Sequence, residues 1–245
     1  SRSMILHVLN PTQILVLRMT ITTAALVITV WFSGRELFSM PAHGRNWSFI
    51  LGVNNAIGMI CYFWALARID ASMAAMLMAV APILVLTILA LNGEPVTRRH
   101  VVRMGLALSG LYLLIGPGGN VDLIGVLLIG GCMVTYAVNI VLTQWHLGGY
   151  DARASTLFNL ISMTGMLYLF WIFQGAPWTP MLPTDWLGIV VLALVSTYAA
   201  RLAFFHSIKV IGGGQVSMLA PVETVMTVIW SMLFLDERLT PLQWV

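Results

Sequence analysis

From residue 11 onward the chain alternates long apolar runs with short polar breaks. About 20 predominantly apolar residues in an α-helix cross the hydrocarbon core of a bilayer. The runs therefore predict eight spans: about Pro11–Phe32, Trp47–Arg68, Ala71–Leu91, Val101–Ile115, Leu123–Trp145, Ala154–Phe173, Trp186–Lys209, and a last one from the glycine break to about Leu235. The breaks carry turn chemistry. Asn10–Pro11 is a cap followed by a first-turn proline. Asp70–Ala71 is a tight break, Gly116–Gly119 reads Gly-Pro-Gly-Gly, and three glycines stand at 212–214. Gln174–Asp185, rich in Pro and Trp, reads as an interfacial loop.

Composition agrees with an all-α polytopic membrane protein. The chain is 59% hydrophobic and 9% charged with mean hydropathy +0.91, against about 25% charged for a soluble domain. In lipid such a chain need only satisfy its backbone, which helices do internally. The net charge of +3 and pI near 9.1 do not indicate a nucleic-acid partner, because the basic residues form no face and sit in loops. With Ser33–Asn46 on the cytoplasmic side, alternation places Arg35, Arg45, Arg98, Arg99, Arg103, Arg153 and Lys209 inside. Only Arg68, Arg238 and the terminal Arg2 fall outside. This is a positive-inside bias, and it predicts a multi-pass membrane protein with Ser33–Asn46 in the cytoplasm. The N-terminus has no cleavable-signal pattern.

Catalytic and metal chemistry find little support in the residues. Cys61 and Cys132 lie inside apolar runs, where small buried hydrophobes are ordinary. His7, His43, His100, His146 and His206 are scattered, with no metal-ligand spacing. There is no HExxH, GxSxG or GxxxxGK[ST]. Asp70, Asp122, Asp151 and Asp185 are single loop acids of the kind that solvate or cap. No cofactor, metal or nucleic acid is expected.

The chain also repeats itself. Tyr62-Phe-Trp-Ala-Leu-Ala-Arg-Ile-Asp-Ala-Ser is followed by Ala81-Pro82 and Gly93-Glu94-Pro95. Ala203-Phe-Phe-His-Ser-Ile-Lys-Val-Ile-Gly-Gly is followed by Ala220-Pro221 and Asp236-Glu237-Arg238. Alternation puts the Glu94 loop inside and the Glu237 loop outside, so the copies are inverted. Inverted repeats accompany alternating access around a midplane site.

On these residues, with Pro11 and Arg18 opening one helix, Ala65-Leu66 before a short break, and Leu219-Ala220-Pro221 with Asp236-Glu237-Arg238-Leu239, the chain resembles the drug/metabolite transporter superfamily, in particular its EamA-type members. The resemblance covers nearly the whole chain. It implies a ten-helix fold of two inverted five-helix repeats, 1–116 and 117–245, of which about eight full helices are present. The first helix and most of the tenth are expected to be missing. Many members carry Glu immediately before the second-half proline; here that position is Ala220 and the carboxylate stands at Glu223, which puts the family role in doubt.

A charge near the bilayer centre is costly unless paired or hydrated, so Glu223 and Arg201 are candidates. Glu223 lies roughly 16 Å into its helix and Arg201 roughly 12 Å from the end of the preceding one. Two readings stand: an ion pair that breaks during transport, or a permanent bridge. Glu223 is also the proton-coupling candidate. Arg18 either snorkels or makes a structural hydrogen bond, the alternative being an anionic substrate group; His206 reads as an interfacial or packing histidine. Polar stripes add Tyr136, Asn139 and Thr143 at i, i+3 and i+7, Asn55 and Tyr62 with Trp64 nearby, and Tyr198 three residues before Arg201. They either line a cavity or bond helix to helix. Asn54 and Asn159 favour the second reading. Tyr62, Tyr136 and Asn139 favour the first, because the resemblance implies a cavity lined by their helices. Pro82 and Pro221 interrupt helices and are hinge candidates, with plain packing kinks as the alternative.

Together these imply a secondary transporter exporting small metabolites such as amino acids, or drugs. The alternatives are a non-transporting membrane subunit or inactive fragment, and a membrane-embedded enzyme. The expected partners are a small-molecule substrate, the lipid bilayer and, as one option, a second copy in a homodimer.

Overall fold

The computed structural model describes residues 11–33, 39–69, 71–78, 80–93, 122–175, 178–179 and 183–219, and the isolated positions 102, 105, 106, 109, 181 and 222. Among the described residues all regular structure is helical and no strand occurs. The elements are α1 (Pro11–Ser33), α2 (Ala42–Leu66), α3 (Ala71–Met78), α4 (Ala81–Leu91), α5 (Leu123–Leu147), α6 (Ala152–Gln174), α7 (Pro183–Val191), a π-helical segment (Leu192–Ala199), α8 (Ala200–Ile211) and α9 (Gly213–Ser217).

Five described helices are long and apolar enough to cross a membrane: Thr12–Phe32, Ala42–Leu66, Leu123–Leu147, Ala152–Gln174 and Asp185–Ile211. They correspond to five of the eight runs read from the sequence. Many of their exposed side chains are large and apolar, Phe32 at 84% and Phe173 at 88% among them. That inverts the usual soluble surface and suits hydrocarbon as solvent. The fourth and eighth expected spans lie almost wholly outside the described residues.

Three boundaries differ from the sequence reading. The second helix begins at Ala42 rather than Trp47, because the Arg45 amide already bonds the Pro41 carbonyl at 3.0 Å; the helix continues past the apolar run, carrying His43 and Arg45. The third run is not one helix. It stops at Met78 and restarts at Ala81, with Pro82 in the first turn of α4. Proline has no amide to bond four residues back, but the first turn of a helix does not need one. The seventh run is helical throughout, yet its centre, Leu192–Ala199, is wound as a π-helix.

Helix ends follow local chemistry. Asp151 caps α6, its carboxylate accepting from the Arg153 amide at 2.8 Å, an arrangement worth about 1 kcal/mol. Gly175 closes the same helix in the left-handed region at φ 61°, which glycine adopts without strain. Asp122 holds the start of α5 by accepting from the amides of Ile124 (2.8 Å) and Gly125 (3.3 Å).

The chain forms two compact units, Ser1–Ala56 with Leu142–Val210 (unit 1) and Ile57–Val141 with Ile211–Val245 (unit 2). In unit 1, α1 packs on α6 and on the π segment. Thr12 donates to Gln174 Oε1, while Thr20 pairs with Tyr168 and Thr23 with Thr164, each at 2.9 Å. Falling partner numbers make α1 and α6 antiparallel. Thr22 donates to the Ala193 carbonyl and Thr29 accepts from Tyr198, so α1 and the seventh span run the same way. A core of Leu51, Leu147, Ala154, Phe158 and Phe205 lies at one end of this unit. In unit 2, Ala65, Ile69, Ala74 and Ile129 form the core, and α9 packs on α4 with Gly214 against Leu86 and Leu89.

Candidate functional site

The polar side chains of unit 1 are concentrated where α1 meets the π segment. Arg18 lies seven residues into α1, roughly 10 Å from its start at 1.5 Å per residue. Its Nε donates to Thr197 Oγ1 and its Nη2 to Ser196 Oγ at 3.3 Å. Thr197 is buried and passes the hydrogen bond on, donating to the Leu192 carbonyl five residues back at 3.2 Å. The Thr22 hydroxyl is fully buried and bonds two carbonyls, Arg18 of its own helix and Ala193 of the π segment. Tyr198 completes the seam through its hydroxyl to Thr29 Oγ1 at 2.9 Å. A π-turn offsets the intrahelical bonds by one residue, and such turns recur at functional sites. Here the turn brings Ser196, Thr197 and Tyr198 to α1. The guanidinium is thereby held laterally by hydroxyls, with no carboxylate paired to it among the described residues.

Arg201, two residues beyond the π segment, is half-buried and directs Nη2 toward the thioether of Met163 at 3.7 Å. The expected Glu223 partner lies outside the described residues, as does the Pro221 hinge candidate. Pro82 is described and buried, at the start of α4.

The remaining candidates separate. Asn55 donates to Asn159 Oδ1 at 3.3 Å, tying α2 to α6. The same crossing brings Gly52 so close to α6 that a Cβ would stand 1.9 Å from Ser162 Oγ. Tyr62 is half-buried in unit 2, edge-on to Phe63 and packed on the Ala65–Ile69 core. Trp64 is exposed at 54%. Along α5, Asn139 and Thr143 are buried and Tyr136 half-buried, so the polar stripe turns inward. His206 is exposed.

Two features had no reading in the sequence. Trp47 stacks on His146 with centroids 3.8 Å apart and planes 5° off parallel, and His43 stands 5.7 Å from His146. The helical extension of α2 below Trp47 brings His43 there; the apolar run alone does not reach it. Gln13, fully buried in α1, bonds the Thr179 backbone at 2.9 and 3.0 Å and its hydroxyl at 2.7 Å. A lone glutamine in an apolar run was the only sign.

Two of the loop carboxylates have cationic partners. The Gly125 amide, with the Arg68 guanidinium and the Ile124 amide, holds Asp122 below its ordinary carboxylate value; Arg68 Nη1 is 3.2 Å away. Burial works upward on Asp151, but hydrogen bonds from the Arg153 side chain and amide outweigh it and leave the carboxyl lowered. Among the described residues no three His, Cys, Asp or Glu gather as a metal site.

Comparison with known proteins gives these features a setting. A family model described as the EamA-like transporter family matches residues 2–116 and again 123–245. An "Uncharacterized transporter" of Archaeoglobus fulgidus is 25% identical over 193 residues, 78% of this chain and 68% of its own. A solved structure described only as "Crystal structure of protein" superposes with a TM-score of 0.80, covering 96% of this chain and 83% of the other at 19% identity. That likeness speaks to fold. With two matches to one family model that together take in nearly all of its residues, the chain belongs to the EamA-like transporter family.

Proposed function

We propose that this transporter is a secondary carrier that exports small metabolites, amino acids or amphiphilic drugs, by alternating access around a cavity near the bilayer midplane. The observation that carries the reading is a pair of cations within otherwise apolar spans: Arg18, bonded to the hydroxyls of Thr197 and Ser196, and Arg201, whose Nη2 faces the Met163 thioether. A guanidinium within a span is costly and marks a solute or ion pathway by default. Together with Asn55, Tyr62, Trp64, Tyr136, Asn139, Tyr198 and Glu223, these residues form the proposed substrate-binding set. Zwitterionic solutes suit a set with both Arg and Glu. Phosphate esters suit it less, for want of further cations.

In this reading Glu223 couples transport to protons, Pro82 and Pro221 are hinges, and residues 1–116 and 117–245 are the inverted halves. The protein sits in an inner membrane with Ser33–Asn46 inside. It is not an enzyme.

Counterflow in proteoliposomes tests the reading. Full-length protein is screened against amino acids, nucleosides and cationic drugs, with and without a pH gradient, beside Glu223→Gln. Saturable exchange of one solute class is expected. Glu223→Gln is expected to keep exchange and lose gradient-driven accumulation. Absence of flux for every solute from folded protein overturns the proposal.

A further inference from the structure

Unit 1 contains a second polar feature, at the opposite end of α6 from Gly175. A cavity of about 10 Å³, open to the centre of one water-sized particle, is lined by Thr143, Tyr150, Ala152, Ser155, Phe205 and Lys209. Thr143 and Ser155 are 2% and 1% exposed. Neither hydroxyl oxygen has a hydrogen-bond partner among the described residues. Buried hydroxyls are almost always bonded, so an unmatched pair on one cavity points to an occupant.

We propose that this cavity is a binding site for a single small inorganic anion of chloride size. Its donors are the two buried hydroxyls and the ammonium of Lys209. Lys209 donates one of its three hydrogens to the Tyr150 carbonyl at 3.0 Å, which leaves two. The cavity also abuts the first turn of α6, a helix of 23 residues, at Ala152 and Ser155. That is the positive end of the helix dipole, although its Arg153 amide is already taken by the Asp151 carboxylate and its Ser155 amide by the Asp151 carbonyl.

The choice among occupants follows from charge and size. A cation would meet an ammonium and the positive end of a helix, and among the described residues no carboxylate lines the cavity. The nearby Asp151 is engaged with Arg153, whose Nε lies 3.3 Å from its Oδ1. Water would satisfy both hydroxyls but gain nothing from the charge of Lys209, which is solvated at its exposed end. An anion takes the hydroxyl hydrogens and the ammonium together. Space for one water-sized particle suits a monatomic anion better than sulfate, phosphate or the carboxylate of a solute. The site is apart from the α1–π seam and does not depend on what the protein transports. When filled, it ties the α5–α6 turn to the end of α8.

Thermal unfolding of purified full-length protein in nanodiscs tests this, with chloride, bromide or sulfate titrated into gluconate at constant ionic strength. Chloride and bromide are expected to raise the melting temperature saturably, and sulfate is not. Ser155→Ala and Lys209→Gln are each expected to raise the half-saturating halide concentration about tenfold or more, the scale of one hydrogen bond to a charged group. Lys209 is exposed, so its variant serves even if Ser155→Ala unfolds. Bromide located by anomalous scattering between Thr143, Ser155 and Lys209 supports the site directly. No saturable halide effect, an equal effect of sulfate, or the same half-saturation in wild type and Lys209→Gln overturns it and leaves water as the occupant.

Discussion

Arg18 of α1 donates its Nε hydrogen to Oγ1 of Thr197, the buried threonine of the π-helical segment. One bond thus joins a membrane-embedded charge to the irregular turn of a neighbouring span. The guanidinium is held against that neighbour instead of extending along its own helix to the interface.

Thr197→Val removes the acceptor and leaves a partly buried charge without it. A hydrogen bond to a charged group is worth about 1.5–3 kcal/mol. The variant is expected to unfold roughly 5 °C below wild type, since about 1 kcal/mol shifts a chain of this size by about 2–4 °C. Ser196→Ala, at an exposed hydroxyl 3.3 Å from Nη2, is expected to cost much less. Adding Arg18→Met to Thr197→Val is expected to recover part of the loss, because the stranded charge goes with it. Scanning fluorimetry in detergent reads all four proteins, and equal losses for Thr197→Val and Ser196→Ala contradict the assignment.

Gly52 is a point of close approach between α2 and α6. A Cβ there would lie 1.9 Å from Ser162 Oγ and 2.3 Å from the Asn159 carbonyl, a backbone atom that cannot turn aside. Gly52→Val is expected to part the helices, break the Asn55–Asn159 bond and lose at least about 1–3 kcal/mol, the scale of overpacking. Gly131→Ala is the control. Its added carbon meets only Cys61 Sγ at 3.8 Å, ordinary contact. The two variants are compared by yield of monodisperse protein and by melting temperature.

Asp122 makes a pH-dependent contribution. Its folded-state pKa is lowered, first by the Gly125 amide and then by Arg68 and the Ile124 amide. The ionised form is therefore favoured by folding. Its contribution is present above the ordinary carboxylate value of about 3.9 and is lost as pH falls through the lower folded value. Asp122→Asn retains a capping oxygen but loses the charge facing Arg68. Wild type is expected to be the more stable at neutral pH, with the gap unchanged down to about pH 5 and closing in stronger acid. Melting temperatures of both proteins across that range decide it, and a gap that widens in acid contradicts the argument.

Pro82 stands where α3 ends and α4 begins. Pro82→Ala supplies the amide that a continuous helix requires and removes the ring that opposes it. The variant is expected to be no less stable than wild type while its turnover falls and its apparent KM for counterflow stays near the wild-type value. A lowered melting temperature with unchanged turnover makes the proline a packing residue and removes it as a hinge.

The membrane helices were legible because apolar length is a property of consecutive residues. A run such as Ala152–Gln174 is a span whatever lies beside it, and Asp151 and Gly175 mark its ends by local chemistry alone. The division of the third run was partly legible, since Pro82 announces an interruption; that it falls at the first turn of α4 depends on where α3 stops. The stripe of Tyr136, Asn139 and Thr143 was readable from helical spacing, and its inward side is the buried one.

What the sequence determined by itself is therefore the solvent and the class of fold. Chain-local hydrophobicity decides that these segments leave water, and backbone hydrogen bonding then decides that they are helices. Only tertiary structure decided which polar side chains meet. Arg18 and Thr197 are 179 residues apart, and Asn55 and Asn159 are 104 apart. The π winding of Leu192–Ala199 belongs to that second group, because its hydroxyls and the Ala193 carbonyl face α1 and bond to it. Side chains in an apolar run are all equally admissible to lipid until a neighbouring helix supplies a partner. Whether Arg18 would snorkel or pair was thus open in the sequence and closed by the packing of α1 on the seventh span.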